Sequence, residues 1–245
     1  MNSSEVKPYK NEEGSKKEQV AKMFNNIAPK YDLLNHTLSL GIDILWRKKA
    51  VGILKKHQPE KVLDIACGTG DFTIANIDSG ASKIIGLDIS EGMVNVGLKK
   101  VEKKGLSKRI NLQVGDSEKI NFQDNTFDGI TVGFGVRNFE NLEKGLSEMH
   151  RVLSPNGKVI ILEFSKPKKF PIKHLYFFYF KYILPTIGRL VSKDKTAYTY
   201  LPDSVKAFPD GERFTSILEK VGFTKTCIVP CSFGIASIYI GTKLA

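Results

Sequence analysis

The sequence predicts an α/β fold centred on a sheet of seven strands, mostly parallel, with an antiparallel hairpin at its end. From residue 61 onward, short apolar runs alternate with longer amphipathic runs, which is the pattern of repeated strand–helix–strand units. The last two apolar runs follow each other closely, and this spacing predicts the hairpin. With 245 residues, of which 41% are hydrophobic and 26% charged, the chain can bury one such core.

The individual elements follow from the spacing of apolar residues. Strands are predicted over 61–66, 83–89, 110–114, 127–134, 158–164, 223–229 and 235–242. Helices are predicted over 71–77, 90–104, 142–153 and 210–221. Ser90 and Glu91 suit the start of the second helix, because a serine oxygen caps backbone N–H groups and negative charge favours the helix dipole.

The sequence predicts one domain, residues 19–245, preceded by a flexible polar tail over residues 1–18. Residues 19–57 are predicted to be helical, with interruptions at proline and glycine. Since they precede the first strand, we expect them to lie outside the sheet as a lid. A second addition, residues 166–208, follows the fifth strand.

The composition excludes several classes of protein. No apolar stretch reaches the roughly 18 uncharged residues that a membrane-spanning helix needs, and the polar start of the chain does not resemble a signal peptide. Three cysteines, Cys67, Cys227 and Cys231, are too few for a disulfide scaffold, and no histidine lies near the last two to complete a zinc site. We therefore expect no metal and a reduced, cytoplasmic location.

Positive charge is concentrated in one part of the chain. The formal net charge is +11, and residues 166–195 alone hold eight of the 37 basic residues and seven of the 24 aromatic ones. Nucleic acid and an anionic membrane surface are the partners that such a charge suggests. Lysines interspersed with aromatic rings suit the headgroup boundary of a membrane, and the alternative is an ordinary helical cap over the sheet.

A glycine turn after the first predicted strand is the sharpest local signal. Asp64 lies in the strand, which leads into Gly68-Thr69-Gly70, where glycines allow a tight turn and a close approach of ligand to backbone. A dinucleotide fingerprint needs a third glycine where the chain has Thr73, and no P-loop lysine follows the turn. The turn therefore favours a nucleoside ligand that carries no phosphate.

Acidic residues stand at the ends of the next two predicted strands. Asp88 ends the second strand, eighteen residues past Gly70, and Asp116 with Ser117 follows the third. A carboxylate at the first position accepts hydrogen bonds from both ribose hydroxyls, and the ends of parallel strands form the ligand crevice. These features predict S-adenosylmethionine as the ligand. The alternative is a plain turn in which Asp88 caps the next helix.

Four motifs resemble those of one enzyme family. DIACGTGD, residues 64–71, resembles the first motif of the class I S-adenosylmethionine-dependent methyltransferases, which have a Rossmann-like sheet. Three further segments resemble the menaquinone and ubiquinone C-methyltransferases: VAKMFNNIAPKYD (20–32), FGVRN (134–138), and RVLSPNG leading to LEFSKP (151–167). The likeness covers about residues 19–243. The family often has serine where this chain has Gly133, so a cofactor contact there would come from the backbone.

The resemblance implies methyl transfer from S-adenosylmethionine to a ring carbon of a polyprenylated quinol. Demethylmenaquinol is the favoured substrate, and 2-methoxy-6-polyprenyl-1,4-benzoquinol is the alternative. The donor site is then expected to include Asp64, Gly68, Thr69, Gly70, Asp88, Asp116, Ser117 and Gly133. Because such a quinol resides in the bilayer, the resemblance also implies peripheral contact with the inner face of the cell membrane.

Four residues are the candidates for the chemistry. Arg137 is predicted to lower the pKa of the quinol hydroxyl or to orient a water as base, and Asn138 to hold a quinol oxygen. Tyr31 and Asp32 are predicted to close over the site or to accept a proton, and His36 is a lesser candidate for the base. The alternatives are a salt-bridged Arg137, a Tyr31 that only packs, and an Asp32 that only caps a helix.

Two other functions compete with the quinol methyltransferase. An RNA methyltransferase would suit the positive charge, but the chain lacks the Pro-Pro-Tyr type of motif after the fourth strand and a nucleic-acid-binding module. A binding protein without turnover is the other alternative, and the intact acid and glycine set argues against it. We expect no nucleic-acid partner, and a homodimer is a further expectation.

Overall fold

Seven strands form one sheet in the order β3-β2-β1-β4-β5-β7-β6. The computed structural model describes residues 6–179, 182 and 196–245. The strands are β1 (Lys61–Ile65), β2 (Lys83–Asp88), β3 (Ile110–Val114), β4 (Phe127–Gly133), β5 (Leu153–Phe164), β6 (Thr224–Cys231) and β7 (Ala236–Thr242). Strands β1 to β5 pair in parallel, whereas β7 pairs antiparallel with both β5 and β6. The predicted fold class is confirmed.

The central strands are mostly apolar because both of their faces are covered. In β1, the adjacent residues Val62 and Leu63 are both fully buried, and each belongs to a different hydrophobic core. Alternate residues of a strand point to opposite faces, so each face of the sheet packs against its own layer of helices. This arrangement leaves the ends of the strands as the place where polar side chains gather.

Nine helices surround the sheet in the described part of the chain. They are α1 (Lys16–Ile27), α2 (Tyr31–Leu38), α3 (Ile42–Lys55), α4 (Asp71–Ala75), α5 (Glu91–Lys103), α6 (Leu142–Val152), α7 (Ile172–Phe178), α8 (Thr196–Ala207) and α9 (Glu212–Lys220). A 3-10 turn, Val136–Asn138, follows β4. None of the helices that the structure describes is long and apolar enough to cross a bilayer.

The start of the chain differs from its prediction. The sequence predicts a flexible tail over residues 1–18, but the described residues from Val6 onward pack against the domain, and α1 begins within that stretch. Ser15 caps α1 by accepting from the backbone N–H of Glu18, and the Glu18 side chain accepts from the Ser15 backbone N–H in return. A capping box of this kind fixes where a helix begins.

Lys16 explains why this polar stretch is docked. Its side chain is only 1% exposed, and its Nζ donates to the backbone carbonyls of Arg137 at 3.0 Å and Phe139 at 2.9 Å. The apolar stem is buried and the ammonium group is satisfied by carbonyls, which offsets the cost of removing it from water. The first helix is thereby tied to the turn after β4.

Of the three helices before β1, α1 and α2 lie beside the strand ends, whereas α3 packs against one face of the sheet. Asn25 of α1 accepts from Ser90 Oγ and from the Gly92 backbone N–H, both at 2.8 Å, and so holds α1 against the start of α5. In α3, Trp46 is buried in one of the two cores, and its Nε1 donates to Ser232 Oγ at 2.9 Å. These contacts hold α1 at the strand ends and α3 in the helical layer that covers one face of the sheet.

Two further parts of the chain matter below. Of the predicted insertion over residues 166–208, residues 180, 181 and 183–195 lie outside the described part of the chain, and α7 and α8 stand on either side of them. At the far edge of the sheet, β6 pairs only with β7 among the described strands, and its register shifts between Thr224 and Cys227.

Candidate active site

The turn after β1 has the backbone that the sequence predicts. Ala66, Gly68 and Gly70 all take left-handed conformations, with φ of 52°, 54° and 83°. A side chain at Gly68 would stand 3.8 Å from the ring of Tyr31, so the missing Cβ keeps a narrow space open between the turn and α2. The turn therefore offers exposed backbone to a ligand beneath the N-terminal helices.

Asp88 stands at the end of β2 and faces this turn. Its Oδ2 accepts from the Gly68 backbone N–H and its Oδ1 from the Ser90 backbone N–H, both at 2.8 Å. Burial raises the pKa of this carboxyl, and the two backbone hydrogen bonds oppose the rise. Each oxygen keeps a further lone pair, which is what binding of a ribose diol requires.

Asp64 is placed differently from its prediction as a ligand-contacting residue. The side chain is fully buried, and its two oxygens accept from Thr73 Oγ1 at 2.6 Å and Thr131 Oγ1 at 2.7 Å. Burial raises the pKa of the Asp64 carboxyl to about 7. Because the side chain is fully buried beneath the turn, where it joins α4 to β4, the support that Asp64 gives to a ligand is indirect.

A cleft that is open to solvent lies beside the turn at the ends of the strands. The polar residues that line it are Lys17, Asp88, Asp116, Ser117, Glu118, Asn138 and Glu140. Four carboxylates against one lysine suit a cationic ligand and disfavour a pyrophosphate. Together with Asp88, this lining fits an adenosyl sulfonium.

Asp116 and Ser117 line the cleft as predicted, together with an unpredicted lysine. Asp116 Oδ1 accepts from the Glu118 backbone N–H at 2.8 Å, and its Oδ2 forms an ion pair with Lys17 Nζ at 2.7 Å. Lys17 also pairs with Glu118 at 3.2 Å. Helix α1 therefore closes one side of the cleft, a contact that the predicted free tail could not make.

Gly133 packs closely inside the fold. A Cβ at this position would stand 2.8 Å from Cδ1 of Phe72, so the Phe72 ring occupies the space that a serine would need. Gly133 is also paired with Leu162 of β5 through the backbone. The glycine at this position has a steric reason, and its predicted backbone contact with the cofactor stays a prediction.

Arg137, in the 3-10 turn after β4, is 8% exposed and forms a buried ion pair. Its Nη1 lies 2.9 Å from Glu163 Oε1 and also donates to the carbonyl of Phe134, while its guanidinium stands 5.6 Å from the centre of the Phe164 ring. Its Nε finds no hydrogen-bond partner among the described residues. One side of the guanidinium is thus fixed, and the buried Nε–H still lacks an acceptor within the described residues.

Asn138 follows directly and lines the cleft. Its Nδ2 makes a long contact of 3.5 Å with the Phe134 carbonyl, and its Oδ1 is buried without a partner in the part of the chain that is described. Buried polar atoms are nearly always hydrogen-bonded, so an exception beside a cleft points to a bound group. Asn138 and Arg137 present such atoms on consecutive residues.

Three tyrosines surround the Arg137 charge. They are Tyr31 of α2, Tyr176 of α7 and Tyr200 of α8. Burial raises the pKa of each phenol, and the positive charge of Arg137 opposes the rise in all three. The same charge would act on any phenol bound among them. Helices that precede β1 and helices that follow β5 therefore meet at the Arg137 guanidinium.

Asp32 does not join this group, although the sequence placed it with Arg137 as a candidate for the chemistry. Its Oδ1 accepts from Thr69 Oγ1 in the glycine turn, and its Oδ2 pairs with Lys100 Nζ at 2.7 Å. Its carboxylate therefore ties α2 to the turn and to α5. Tyr31, one residue earlier, packs edge-on against Phe24 with 5.9 Å between ring centres.

His36 also links neighbouring helices. Its Nδ1 lies 3.1 Å from Asp43 Oδ2 and its Nε2 3.2 Å from Asp71 Oδ2, so both ring nitrogens face carboxylates of neighbouring helices. No group of three or more metal-binding side chains occurs in the ranges that the structure describes. Glu163, Lys17 and Lys100 have no predicted role, because their contacts depend on segments far away in the chain.

Comparison with known proteins identifies relatives of this arrangement. A model of the ubiE/COQ5 methyltransferase family matches residues 12–243. A Bacteroides fragilis protein named demethylmenaquinone methyltransferase is 52% identical, and the match covers 97% of each chain. A Geotalea daltonii protein named ubiquinone/menaquinone biosynthesis C-methyltransferase UbiE is 46% identical over 93% of this chain and 97% of its own. A SAM-dependent methyltransferase structure from Thermotoga maritima shares the fold, with a TM-score of 0.65 and 19% identity over 91% of this chain and 98% of that chain.

Proposed function

The chain belongs to the ubiE/COQ5 methyltransferase family, and we propose that it methylates a ring carbon of demethylmenaquinol with S-adenosylmethionine as methyl donor. The family resemblance in the sequence is thereby confirmed. The observation that carries the substrate proposal is the buried Arg137–Asn138 pair, with unpartnered polar atoms, beside an acidic cleft. The methoxy-benzoquinol of ubiquinone biosynthesis is the second candidate, because one relative is named for both quinones.

The acidic cleft would hold the donor. When bound, S-adenosylmethionine supplies a methyl group that is already activated for transfer. We propose that Asp88 accepts hydrogen bonds from the ribose hydroxyls, while Asp116 and Ser117 border the adenosyl part. Since Asp88 also accepts from the Gly68 N–H, it fixes the turn and the ribose together. The task of these residues is alignment, which can contribute several kcal/mol, up to ~7–11 in favourable cases.

Arg137 and Asn138 would act on the acceptor. A ring carbon of a quinol becomes a good nucleophile only when a hydroxyl loses its proton. A guanidinium in a dry site favours the phenolate, because charges interact more strongly where water is excluded. Asn138 would hold a quinol oxygen. We place Tyr31 at the wall between donor and acceptor. Its ring lies close to Gly68, and the charge of Arg137 acts on its phenol.

Helices α1 and α2 would act as the lid, whereas α3 belongs to the core. The contact of Asp32 with Thr69 and Lys100 fastens α2 to the glycine turn, and the pair of Lys17 with Asp116 fastens α1 to the cleft. We propose that these polar contacts open to admit the donor and close again to exclude water. The role of Asp32 is then closure rather than proton transfer.

An anionic membrane surface is the proposed partner of the outer face. Large apolar side chains are exposed in two stretches: Leu33, Leu40, Ile44 and Leu45 in the first, and Phe170, Leu175, Phe177, Phe178 and Tyr182 in the second. Tyr179 Oη donates to the Leu38 carbonyl at 2.6 Å, which joins the two stretches. Lys168, Lys169 and Lys173 are exposed within the second stretch. We propose peripheral docking there, at the cytoplasmic face of the membrane that holds the quinol.

The test is a methyl-transfer assay with labelled donor and either reduced quinol. We expect transfer to demethylmenaquinol, and a chain that methylates neither quinol would contradict the proposal. Arg137→Ala should lower kcat on the order of 100-fold or more with little change in donor affinity. Because this variant leaves Glu163 unpaired, at a cost of about 3–5 kcal/mol, Arg137→Lys is the companion that keeps a charge. Pairing of two chains stays a prediction that sedimentation can check.

A further inference from the structure

We infer that Glu163 is a positioning residue, which fixes the Arg137 guanidinium so that its Nε–H is free to bind the quinol oxygen. This inference rests on the proposed function. Glu163 is the last residue but one of β5 and is fully buried. It lies in the LEFSKP segment, yet the mechanism above gives it no part.

The carboxylate of Glu163 holds Arg137 in two places. Its Oε1 accepts from Arg137 Nη1 at 2.9 Å and from the backbone N–H of Phe164 at 2.8 Å. Its Oε2 faces the backbone N–H of Arg137 at 3.4 Å. The same side chain thus holds both the turn and the guanidinium of Arg137. Strand β5 is a firm base for this task, because it is paired with β4 on one side and β7 on the other.

These contacts determine which N–H groups of the Arg137 guanidinium already have a hydrogen-bond acceptor. Nη1 serves Glu163 and also the carbonyl of Phe134, whereas Nε is buried and without a partner within the described residues. A buried, charged N–H without an acceptor is rare in folded proteins. The proposed substrate supplies one, because a quinol that has lost a proton presents a phenolate oxygen.

Two more buried atoms complement the rest of a quinol. Asn138 Oδ1 and Tyr200 Oη are also without partners in the described ranges, and Tyr200 lies close enough to Arg137 and Glu163 for both charges to act on its phenol. The first can only accept a hydrogen bond, as from a quinol hydroxyl, and the second can donate or accept. A bound quinol monoanion offers one acceptor oxygen and one hydroxyl, which matches this set.

The ion pair with Glu163 also determines how strongly the Arg137 charge stabilises a bound phenolate. Burial raises the pKa of the Glu163 carboxyl and the charge of Arg137 opposes the rise, so the two groups of this ion pair offset each other's charge. An unpaired guanidinium would favour the phenolate more strongly but would be free to leave its position. Removal of the carboxylate charge should therefore move the acid limb of the kcat–pH profile to lower pH. The other titratable groups around Arg137 are Lys16, Tyr31, Tyr176 and Tyr200, which wild type and variant share.

Glu163→Ala and Glu163→Gln test the inference in the full chain, with kcat, its pH profile and donor affinity as readouts. We expect Glu163→Ala to lower kcat on the order of 100-fold, the cost of a misplaced group, while donor affinity stays within about twofold. Glu163→Gln keeps the shape and one acceptor oxygen, so it should restore much of kcat with the acid limb at lower pH. Glu148→Ala is the matched control, since Glu148 pairs with Arg151 at 2.8 Å in α6 and should leave kcat unchanged.

The outcomes separate the two proposals. If wild type methylates the quinol but both Glu163 variants keep its kcat and pH profile, the inference is overturned. It is also overturned if both variants lose donor binding along with turnover, because the carboxylate then serves the fold alone. A wild type that methylates neither quinol removes the proposed function first, and the inference with it.

Discussion

Asp88 meets three demands with one carboxylate. It accepts from the Gly68 N–H, accepts from the N–H of Ser90, which is the residue that caps α5, and faces the cleft. Ribose binding and capping of the next helix are the alternatives that the sequence leaves open for Asp88. The side chain that caps α5 is Ser90, which accepts from the Met93 N–H at 3.2 Å, and ribose binding by Asp88 stays a prediction. A residue of this kind links the shape of the turn to the presence of the ligand.

Asp88→Asn should weaken donor binding by more than ~1.5 kcal/mol, because charge-assisted hydrogen bonds to a carboxylate are lost while the side-chain shape is kept. Titration calorimetry with S-adenosylmethionine measures this directly. Asp78, which is exposed on the short 3-10 turn after α4, provides the control substitution Asp78→Asn. An unchanged dissociation constant in the Asp88 variant would rule out the ribose assignment.

Asp64 predicts a pH dependence of stability. Its folded pKa of about 7 lies above the ordinary value of 3.8, so between these two pH values the folded protein holds a proton that the unfolded chain has lost. The contribution of Asp64 to the free energy of unfolding is therefore full below pH ~4 and declines as pH rises to about 7.

Asp64→Asn should make unfolding by urea less dependent on pH across this window, because the amide does not ionise. The measurement is the free energy of unfolding of both proteins at the two ends of the window. Equal pH slopes in wild type and variant would show that Asp64 titrates normally. The Asp78→Asn control should keep the wild-type slope, since its side chain is exposed.

At the scale of elements, the N-terminal helices were only partly predictable. Their apolar periodicity identifies helices over residues 19–57, but Lys16 and Lys17 lie in a polar stretch without such periodicity. The contacts of these two lysines depend on residues about a hundred positions or more away in the chain. Lys16 donates to the carbonyl of Phe139, and Lys17 donates to the carboxylate of Asp116. Such distant partners leave no pattern in the neighbouring sequence. A polar segment that is docked in the structure is therefore predicted to be a flexible tail.

The positions of the strands were easier to predict than the face of the sheet to which each polar side chain points. Parallel strands covered on both faces appear in the sequence as apolar runs, which is why β1 to β5 were found. For the same reason, strand alternation does not tell which face Asp64 or Glu163 takes. The sequence identified Arg137 and Asn138 through a family motif, but Glu163 acquires its place only from the turn that β4 brings beside it.

The lid has a test at this scale, the double-mutant cycle of Asp32→Ala and Lys100→Met. Each change should raise the donor dissociation constant severalfold, since a partly exposed charged contact contributes about 1 kcal/mol. The combined variant should show little further effect, because both changes break the same link between α2 and α5. Fully additive effects would mean that the two residues act on the donor separately.

For the whole molecule, the outer apolar face predicts binding to vesicles. Flotation with vesicles rich in anionic lipid should recover the protein, and added salt should weaken recovery, because each lysine near such a surface contributes ~1 kcal/mol. Phe170 is 80% exposed and Leu40 84%, so Phe170→Ser and Leu40→Ser should each reduce flotation.

Leu98→Ser is the control for these variants, since Leu98 is exposed on α5, outside both stretches. If all three substitutions behave alike, the apolar face is only a cap over the fold. If Phe170→Ser reduces flotation and Leu40→Ser does not, the membrane-binding surface is confined to the second stretch. It then does not include the corner between α2 and α3.

The outermost strand, β6, is built so that the sheet stops there. Pro230 has no N–H to offer a neighbouring chain, Lys225 adds charge, and the shift in register before Cys227 bends the strand away from a regular ladder. Sheet extension into amyloid-like stacks is thereby discouraged at this border. Two copies of the chain, if they pair, must do so through side chains elsewhere and not by fusing their sheets along β6.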